Sequence, residues 1–205
     1  MPRLSDSTRA ERQRHIEVSA WKCFSRNGFH ATSMDDIIAE TGMSSSAVYR
    51  YFRSKDDLIA AAADEALMLV RDTLTHLAEQ DPPPSPPEVL NALVASLERQ
   101  TTAADYDLSR ITIQSWGESL RRPDLHERSV DFYTEVRARL TTLAKKWQSH
   151  DRPLSKTDAD AAASVLFALM PGLIVAHHLS KPLTAKQLLA GIDVLANSTP
   201  AGKPD

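Results

Sequence analysis

The sequence predicts an all-α protein of about nine helices, with a small N-terminal domain followed by a larger C-terminal one. Apolar residues recur at helical spacing along most of the 205 residues, while the alternation typical of strands is nearly absent. Glycine and proline interrupt this spacing at intervals that suit the ends of helices. These three observations together favour a protein built from helices and turns.

The first helix is predicted from an apolar stripe and a stop signal. Its apolar positions recur at i, i+4, i+7 and i+8, and they are Ile16, Ala20, Cys23 and Phe24. The pair Asn27-Gly28 ends the pattern, since glycine adopts the left-handed conformation that commonly closes a helix. We therefore expect the first helix to stop at Gly28.

Two short helices joined by a glycine turn follow the first. Thr32 or Ser33 is placed to cap the second helix, because a short hydroxyl side chain accepts a backbone N–H bond at that position. Gly42 ends this helix, and a third spans about 44–52. Ser44 is the expected N-cap of the third helix, with its side chain accepting a backbone N–H bond.

The rest of the chain predicts longer helices. A fourth helix begins after Ser54 and carries an apolar stripe of roughly 20 residues or more. The segment DPPPSPP, at 81–87, separates it from the next helix because proline lacks the N–H and fixes φ. Residues 158–180 are apolar almost all round, which predicts a helix enclosed on several sides. The other apolar stripes lie at about 90–97, 111–116, 125–147 and 188–195.

Composition limits the classes of protein to which the chain can belong. The hydrophobic share is 42%, the charged share is 25% and the formal net charge is −3, as in ordinary globular proteins. No uninterrupted run of about 18 apolar residues is present, so we expect no membrane span. The cationic N-terminus lacks the apolar stretch of a secretory signal. The single cysteine excludes an internal disulfide, which fits a reducing cytoplasm.

Charge is distributed unevenly along the chain. Residues 1–55 carry nine Lys and Arg against six Asp and Glu, whereas residues 56–205 carry fifteen against twenty-one. A basic end on an acidic body is typical of a protein whose basic end meets a polyanion. Ordinary scatter of surface charges gives similar counts, so this observation needs the support of a motif.

The helices at 33–41 and 44–52, joined by a tight glycine turn, form a helix-turn-helix arrangement. In that arrangement the second helix lies in the major groove and directs its N-terminal residues at the base edges. Val48 and Phe52 lie four residues apart and take the inward face, so the serines face outward. Short side chains let the helix approach the groove floor, where hydroxyls donate or accept hydrogen bonds.

Candidate DNA contacts follow from this placement. Tyr49 lies one turn after the outward serines, and the tyrosine and cations that follow, up to Lys55, lie where phosphates would run. Because long donors are few on this helix, base reading is expected to depend on Arg50, on an N-terminal arm with Arg3 and Arg9, or on DNA shape. The predicted DNA-binding residues are Thr32, Ser33, Ser44, Ser45, Ser46, Tyr49, Arg50, Tyr51, Arg53 and Lys55.

The flanking sequence decides between this arrangement and an ordinary helical hairpin with a polar face. The stretch from Ala20 to Leu58 resembles the DNA-binding domain of the tetracycline-repressor (TetR) family, with uninterrupted spacing. Two positions depart slightly from the family pattern, since Ile38 stands in place of alanine and Met43 in place of valine. The matching residues are Ala20, Phe24, Gly28, Phe29, Thr32, Ser33, Ile37, Gly42, Ser44, Tyr49, Phe52, Lys55 and Leu58.

The resemblance implies an all-α homodimer that binds a palindromic double-stranded DNA operator, with the recognition helix at 45–51. Most members of the family are bacterial repressors that a small ligand in the C-terminal domain releases from DNA. We therefore expect a cytoplasmic protein, nucleoid-associated when bound, with a small-molecule effector whose identity the sequence does not give. Dimerisation is expected through helices at about 158–180 and 184–197. The expected organisation is a disordered arm over 1–8, a DNA-binding domain over 9–55, a helical ligand-binding and dimerisation domain over 56–197 and a disordered tail over 198–205.

The predicted ligand-binding part contains few residues that identify a ligand. Its aromatic and Met content favours an apolar or aromatic ligand, although each of these side chains is more readily explained as core. The polar atoms of Gln114 and Tyr133 need partners if they are buried, and a ligand can supply them. The candidate ligand contacts are Gln114, Trp116, Phe132, Tyr133, Phe167, Met170 and His177.

Other chemistry has weaker support in this sequence. Adjacent His177 and His178 point about 100° apart on a helix and cannot chelate one ion together, so we expect no metal site. Cys23 lies on an apolar stripe and is expected to be an inert thiol rather than a redox sensor. The absence of a phosphate loop, a nucleophile elbow and a paired carboxylate argues against an enzyme, and no cofactor is expected. An adaptor that presents 81–87 as a polyproline ligand is the remaining rival.

Overall fold

The computed structural model describes residues 5–102, 105–149 and 152–198, and nine α-helices lie within these ranges. The predicted all-α class is confirmed. Within the same ranges, the strands are a two-residue antiparallel pair, β1 (Gln148–Ser149) and β2 (Arg152–Pro153). The helices are α1 (Asp6–Ala31), α2 (Met34–Thr41), α3 (Ser45–Tyr49), α4 (Lys55–Glu79), α5 (Pro86–Thr102), α6 (Leu108–Ser119), α7 (Pro123–Ala144), α8 (Lys156–Leu179) and α9 (Ala185–Asn197).

The chain divides into two compact units, and α4, α5 and α7 contribute to both of them. The first unit comprises Met1–Asp72 and Leu97–Glu135. The second comprises Thr73–Ser96 and Val136–Asp205. The candidate DNA-binding residues all belong to the first unit.

The start of α1 differs from the predicted N-terminal arm. Ser5 is the N-cap of α1, and its Oγ accepts the backbone N–H of Thr8 at 3.3 Å. Residues 6–8 are therefore helical, because a serine cap allows the helix to begin earlier than the apolar pattern does. Residues 1–4 of the arm, with Arg3, lie outside the described residues, as do residues 199–205 of the predicted tail.

The first unit is built around one continuous apolar core that joins α1, α2, α3, α4, α6 and α7. Val48 and Phe52 are buried, as the inward face of the third predicted helix requires. The break predicted at Gly28 is present, with φ 82° and ψ 165°, although Phe29–Ala31 continue as a further short helical stretch. The buried core residues are Ile16, Ala20, Trp21, Cys23, Phe24, Phe29, Ile37, Val48, Phe52, Leu58, Ile59, Ala62, Leu108, Ile111 and Leu125.

In the second unit, hydrogen bonds tie the C-terminal part of α7 to the end of α4 and to the proline segment. Lys146 Nζ donates to the carbonyl of Ala78 at 2.9 Å, and Arg139 donates to Thr75 Oγ1 at 2.8 Å. The buried indole N–H of Trp147 donates to the carbonyl of Pro84 at 2.7 Å. Pro84 is itself buried and anchors the 81–87 segment as a connection between helices, whereas Pro82, Pro83, Pro86 and Pro87 are exposed.

Helix α8 departs from the expectation of an enclosed helix. By length and composition it is apolar enough to cross a membrane, with a mean hydropathy of 1.9 over 18 residues, yet only 22% of that window is buried. We expected no membrane-spanning helix because the sequence lacks a long unbroken run of apolar residues. Ser164, Pro171 and Gly172 break the run in α8, but they lower its mean hydropathy only a little. The prediction of enclosure was wrong for a single chain, because the chain covers few of the apolar side chains of α8.

Candidate nucleic-acid interface

A reciprocal capping box fixes the start of α2. Ser33 Oγ accepts the backbone N–H of Asp36 at 3.1 Å, and the Asp36 carboxylate accepts the backbone N–H of Ser33 at 2.8 Å. The Ser33 hydroxyl also donates to the same carboxylate at 2.7 Å. These donors hold the pKa of Asp36 below its usual range because they stabilise the charged form. Ser33, rather than Thr32, is therefore the cap, and it is exposed.

Gly42 makes the turn between α2 and α3 in the left-handed conformation, with φ 64° and ψ 11°. Its N–H donates to the carbonyl of Ala39 at 3.2 Å, which closes α2. Ser44 occupies the N-cap position of α3, but its side chain accepts no backbone N–H and lies 3.3 Å from Ser46 Oγ instead. The predicted position of Ser44 is observed, whereas its predicted capping bond is not.

The short helix α3 presents polar side chains outward from an apolar anchor. Val48 is fully buried and Phe52 nearly so, which fixes the rotation of the helix. Next to this anchor Tyr49 is 44% exposed, and Arg50 is exposed as well. We call the following exposed residues the recognition face: Ser33, Ser45, Ser46, Tyr49, Arg50 and Arg53.

Two of the predicted DNA contacts are directed inward. Thr32 is 1% exposed, and its hydroxyl donates to the carbonyls of Gly28 and Cys23 at 2.7 Å and 3.3 Å. Its side chain therefore stabilises the end of α1 and cannot reach DNA. Tyr51 is half-buried and packs against the core of the first unit, so only part of its ring is accessible.

Lys55 has a structural role that the sequence did not indicate. Its Nζ donates to the carbonyl of Phe29 at 2.9 Å and to that of Thr32 at 2.8 Å. Two of its three ammonium donors are thereby used within the protein, and one remains for a phosphate. The predicted role of Lys55 as a simple phosphate contact is incomplete, because this side chain also ties the start of α4 to the end of α1.

A histidine outside the predicted set also supports the motif. His15 Nε2 lies 2.8 Å from the carbonyl of Thr41, and because a carbonyl only accepts, this nitrogen donates. The bond ties the end of α2 to α1 across 26 positions of sequence, so no local pattern could reveal it. Arg9 of the predicted arm is exposed on α1, close in sequence to this histidine.

The predicted ligand contacts in α6 and α7 have protein partners. Gln114 Oε1 accepts the backbone N–H of Phe29 at 2.7 Å, and its Nε2 donates to the carbonyl of Phe24 at 3.3 Å. Trp116 Nε1 donates to the hydroxyl of Tyr133, and burial raises the pKa of that phenol. The polar atoms of Gln114 and Tyr133 therefore obtain from the protein the partners that a ligand was expected to supply.

Phe132 lies in a cleft of about 430 Å³ between α4 and α7 of the first unit. Arg71 contacts the ring of Phe132, with 5.7 Å between its Cζ and the ring centroid, and Arg71 pairs with Glu135 at 3.0 Å. The lining is more charged than the expected apolar ligand requires. The lining residues are Asp64, Leu67, Met68, Arg71, Arg128, Asp131, Phe132 and Glu135.

The other predicted ligand contacts, Phe167, Met170 and His177, are half-buried on α8. The rings of His177 and His178 meet edge to face with their centroids 5.0 Å apart. Among the described residues, no group of three or more His, Cys, Asp or Glu is arranged to hold a metal ion. Cys23 is buried, and burial raises the pKa of its thiol, which lowers its reactivity as predicted for an inert thiol.

Two family models match the chain, one in its N-terminal part and one in its C-terminal part. The family model described as "Bacterial regulatory proteins, tetR family" matches residues 17–62. A second model, "BetI-type transcriptional repressor, C-terminal", matches residues 86–198, which is more than half of the chain.

Individual relatives agree with the family models. An HTH-type transcriptional repressor of Mycobacterium tuberculosis is 25% identical over 199 residues, which cover 97% of this chain and 98% of the relative. The HTH-type transcriptional regulator BetI of Escherichia coli is 24% identical over 184 residues, covering 89% and 90%. A solved structure of a putative transcriptional regulator from Saccharomonospora viridis in complex with choline matches with a TM-score of 0.64 and 25% identity, covering 92% and 97%.

Proposed function

The chain belongs to the TetR family of transcriptional regulators, and we propose that it is a repressor that binds a palindromic operator as a homodimer and leaves it when a small ligand binds. Members of this family are soluble cytoplasmic regulators rather than enzymes, which confirms the non-enzymatic prediction. The repressor assignment is supported by the BetI-type C-terminal match and by the repressor of Mycobacterium tuberculosis. Association with the nucleoid follows from operator binding.

The recognition face carries the DNA-binding part of the proposal. Its serine hydroxyls are on short side chains, its two arginines are exposed, and α3, which bears half of its residues, is anchored by the buried Val48. Arginines supply affinity through phosphates and specificity through guanine edges, whereas serines permit close approach to the groove floor. This combination supports major-groove binding by α3, with Tyr49 and Arg50 as the reading residues and Arg53 at a phosphate.

An exposed apolar surface on α8 and α9 supports the homodimer. Leu179 and Leu195 are each 80% exposed, a large exposure for leucines on helices that carry few charges. Apolar patches of this kind are typical of surfaces that another protein covers. A second copy also doubles the short DNA site that one recognition helix can read. We call the following exposed residues of the two helices the α8–α9 apolar face: Val165, Val175, Leu179, Ile192 and Leu195.

The cleft between α4 and α7 supports a polar or charged effector rather than the apolar one that the sequence favoured. It is lined by three carboxylates and two guanidinium groups around Phe132, and Asp64 pairs with Arg128 at 3.1 Å. Small organic cations combine favourably with carboxylates and an aromatic ring. Because the Saccharomonospora viridis regulator was solved with choline, choline is the first effector to examine.

In vitro selection of bound DNA fragments tests the DNA-binding proposal. The expected product is a palindrome whose two half-sites lie about 10–10.5 base pairs apart, one for each recognition helix. Selected sequences without two-fold symmetry would argue against a dimeric reader, and failure to enrich any sequence would argue against a specific regulator.

Titration calorimetry with choline tests the effector proposal. Asp131→Asn should weaken choline binding about fivefold, because one carboxylate near a cation contributes roughly 1 kcal/mol at a surface. Glu127→Gln, an equivalent change at an exposed position of α7 outside the cleft, should leave the affinity unchanged. Equal effects of the two changes, or tight binding that neither affects, would remove the cleft as the site.

A further inference from the structure

The last residues of α1, from the break at Gly28, and Thr32 after them are held by side chains from other helices of the first unit. We call residues 28–32 the connector, because they follow the regular part of α1 and precede the cap of α2. At Gly28 the φ of 82° interrupts the helical bonding, so groups near the break need partners from elsewhere. The connector ends one residue before Ser33, the first member of the recognition face.

Gln114 of α6 bridges this break with its carboxamide. The Phe29 N–H donates to Oε1 at 2.7 Å, while Nε2 donates to the carbonyl of Phe24 at 3.3 Å and to that of Arg110 at 3.2 Å. A carboxamide offers an acceptor and a donor in the same geometry as a peptide group. Gln114 therefore takes the place of a missing backbone partner on both sides of the break.

The close approach of Gln114 depends on glycine at position 28. A Cβ at Gly28 would lie 3.3 Å from Gln114 Oε1, and the positive φ is itself unfavourable for other residues. Glycine thus permits both the break and the docking of the carboxamide. The two residues form one joint between α1 and α6, although 85 positions of sequence separate Phe29 from Gln114.

Neighbouring contacts act on the same segment. Glu118, one helical turn after Gln114, lies 3.1 Å from His30 Nε2. From the other direction Lys55 of α4 donates to the carbonyls of Phe29 and Thr32. The connector is consequently held by α6 and by α4 together, and its position determines where α2 begins.

We propose that Gln114 is a positioning residue for DNA binding, which acts by fixing the connector and, through it, the recognition face. The inference rests on the proposed function for its DNA readout. It predicts that removing the carboxamide lowers operator affinity although Gln114 lies on α6, outside the recognition face. Since no phosphate contact is removed, the dependence of affinity on salt should keep its slope.

Gln114→Met tests the proposal because it keeps the length and most of the volume of the side chain and removes both hydrogen-bonding groups. DNA affinity is measured by fluorescence anisotropy on the selected palindrome, and exchange of the Phe29 amide is followed by NMR on the full chain. We expect affinity to fall about tenfold with an unchanged salt slope, as for the loss of one or two partly buried hydrogen bonds. The Phe29 amide should exchange faster than in the wild type.

Two further variants separate positioning from general destabilisation. Gln114→Glu keeps the acceptor for Phe29 but loses the donor to Phe24, so it should restore protection of the Phe29 amide and give an intermediate affinity. Ser115→Ala, the matched control, removes a hydroxyl that bonds only within α6, to the carbonyl of Ile111 at 2.9 Å, and should bind DNA like the wild type.

The outcomes are distinct. Wild-type DNA affinity of Gln114→Met overturns the proposal, and so does an equal loss of affinity in Ser115→Ala. The proposal also fails if Gln114→Met is unfolded with and without DNA and Gln114→Glu is unfolded too. If the wild type itself selects and binds no DNA, the proposed function fails. Unchanged exchange of the Phe29 amide in Gln114→Met would then show, without any measurement of DNA binding, that Gln114 does not hold the connector.

Discussion

The recognition face and the α8–α9 apolar face differ in how far the rest of the chain supports or covers them. Around the recognition face the protein supplies the cap of α2, the turn at Gly42 and a buried anchor, and the exposed side chains are serines, arginines and Tyr49. On the α8–α9 apolar face, leucines such as Leu179 and Leu195 stay exposed. A hydrated, charged partner such as DNA suits the first surface, and an apolar surface such as that of a second copy suits the second.

This difference teaches that the two surfaces should respond to different perturbations. Changes on the recognition face should alter DNA affinity and its dependence on salt while leaving the assembly intact. Changes on the α8–α9 apolar face should alter the assembly first and DNA binding only as a consequence. The following variants either separate the two surfaces in this way or show that the separation is wrong.

The largest effect is expected from Leu195→Asp. A charge on the α8–α9 apolar face replaces a leucine in both copies, so self-association should weaken by at least about a hundredfold. Sedimentation equilibrium at micromolar concentration measures this. Leu120→Asp is the control, because Leu120 is 82% exposed at the end of α6 and belongs to neither surface. Equal masses for the two variants, or a monomeric wild type, would contradict the dimer.

The second largest effect is expected from Lys55→Ala, which should lower the stability of the protein more than it weakens DNA binding. Loss of two partly buried hydrogen bonds to backbone carbonyls should lower the free energy of unfolding by about 1–3 kcal/mol. Urea unfolding measures it. Arg53→Ala, two residues earlier and exposed, should change that free energy by less than about 0.5 kcal/mol. Similar values for the two variants would make Lys55 an ordinary surface cation.

Arg53→Ala should act on DNA binding instead. As a phosphate contact it is expected to weaken binding to all sequences alike and to reduce the slope of log affinity against log salt by about one unit. Tyr49→Ala should shift the preferred sequence with little change of slope. Anisotropy titrations over a range of salt concentrations separate these outcomes. A sequence-dependent loss for Arg53→Ala would move Arg53 from the phosphates to the bases.

The two serine caps differ within the recognition motif itself. Ser33→Ala should lower the free energy of unfolding by about 1 kcal/mol, the usual cost of losing a bonded N-cap. Ser44→Ala should cost less than about half of that, because the Ser44 side chain accepts no backbone N–H. Thermal or urea unfolding compares the pair, and a larger cost at Ser44 would mean that its hydroxyl caps α3 in solution.

The smallest effect concerns the pH dependence at Asp36. Its folded pKa is lowered by the hydroxyl and the N–H of Ser33, so its stabilising effect is complete above the unfolded pKa of about 4 and is lost as pH falls through the folded pKa. Wild type should therefore exceed Asp36→Asn in stability at neutral pH, and the difference should shrink in acid. Asp35→Asn, in the same helical turn, is the control.

Local patterns predicted the fold and the motif because local bonds build them. The cap at Ser33, the turn at Gly42 and the inward pair Val48 and Phe52 all act within about four residues of sequence. The match to the TetR family then confirmed the expected class of protein. The all-α class followed from apolar spacing for the same reason.

Contacts between distant parts of the chain could not be predicted. Lys55 reaches back 26 positions to Phe29, and Gln114 reaches 85 positions to the same residue, so both were assigned to ligands outside the protein. Thr32 matched the family pattern but is buried, because one hydroxyl fits a helix end as well as a phosphate. The exposure of α8 was missed because composition shows that a side chain is apolar but not whether the same chain covers it.

The central claim is that one recognition face from each of two chains reads one operator. The mass of the complex formed by the wild type on a selected palindromic fragment, measured over a range of salt concentrations, tests it most directly. The account predicts chains bound in pairs, with affinity that falls steeply as salt rises. A complex with a single chain on the whole site, or binding that is insensitive to salt, would contradict it.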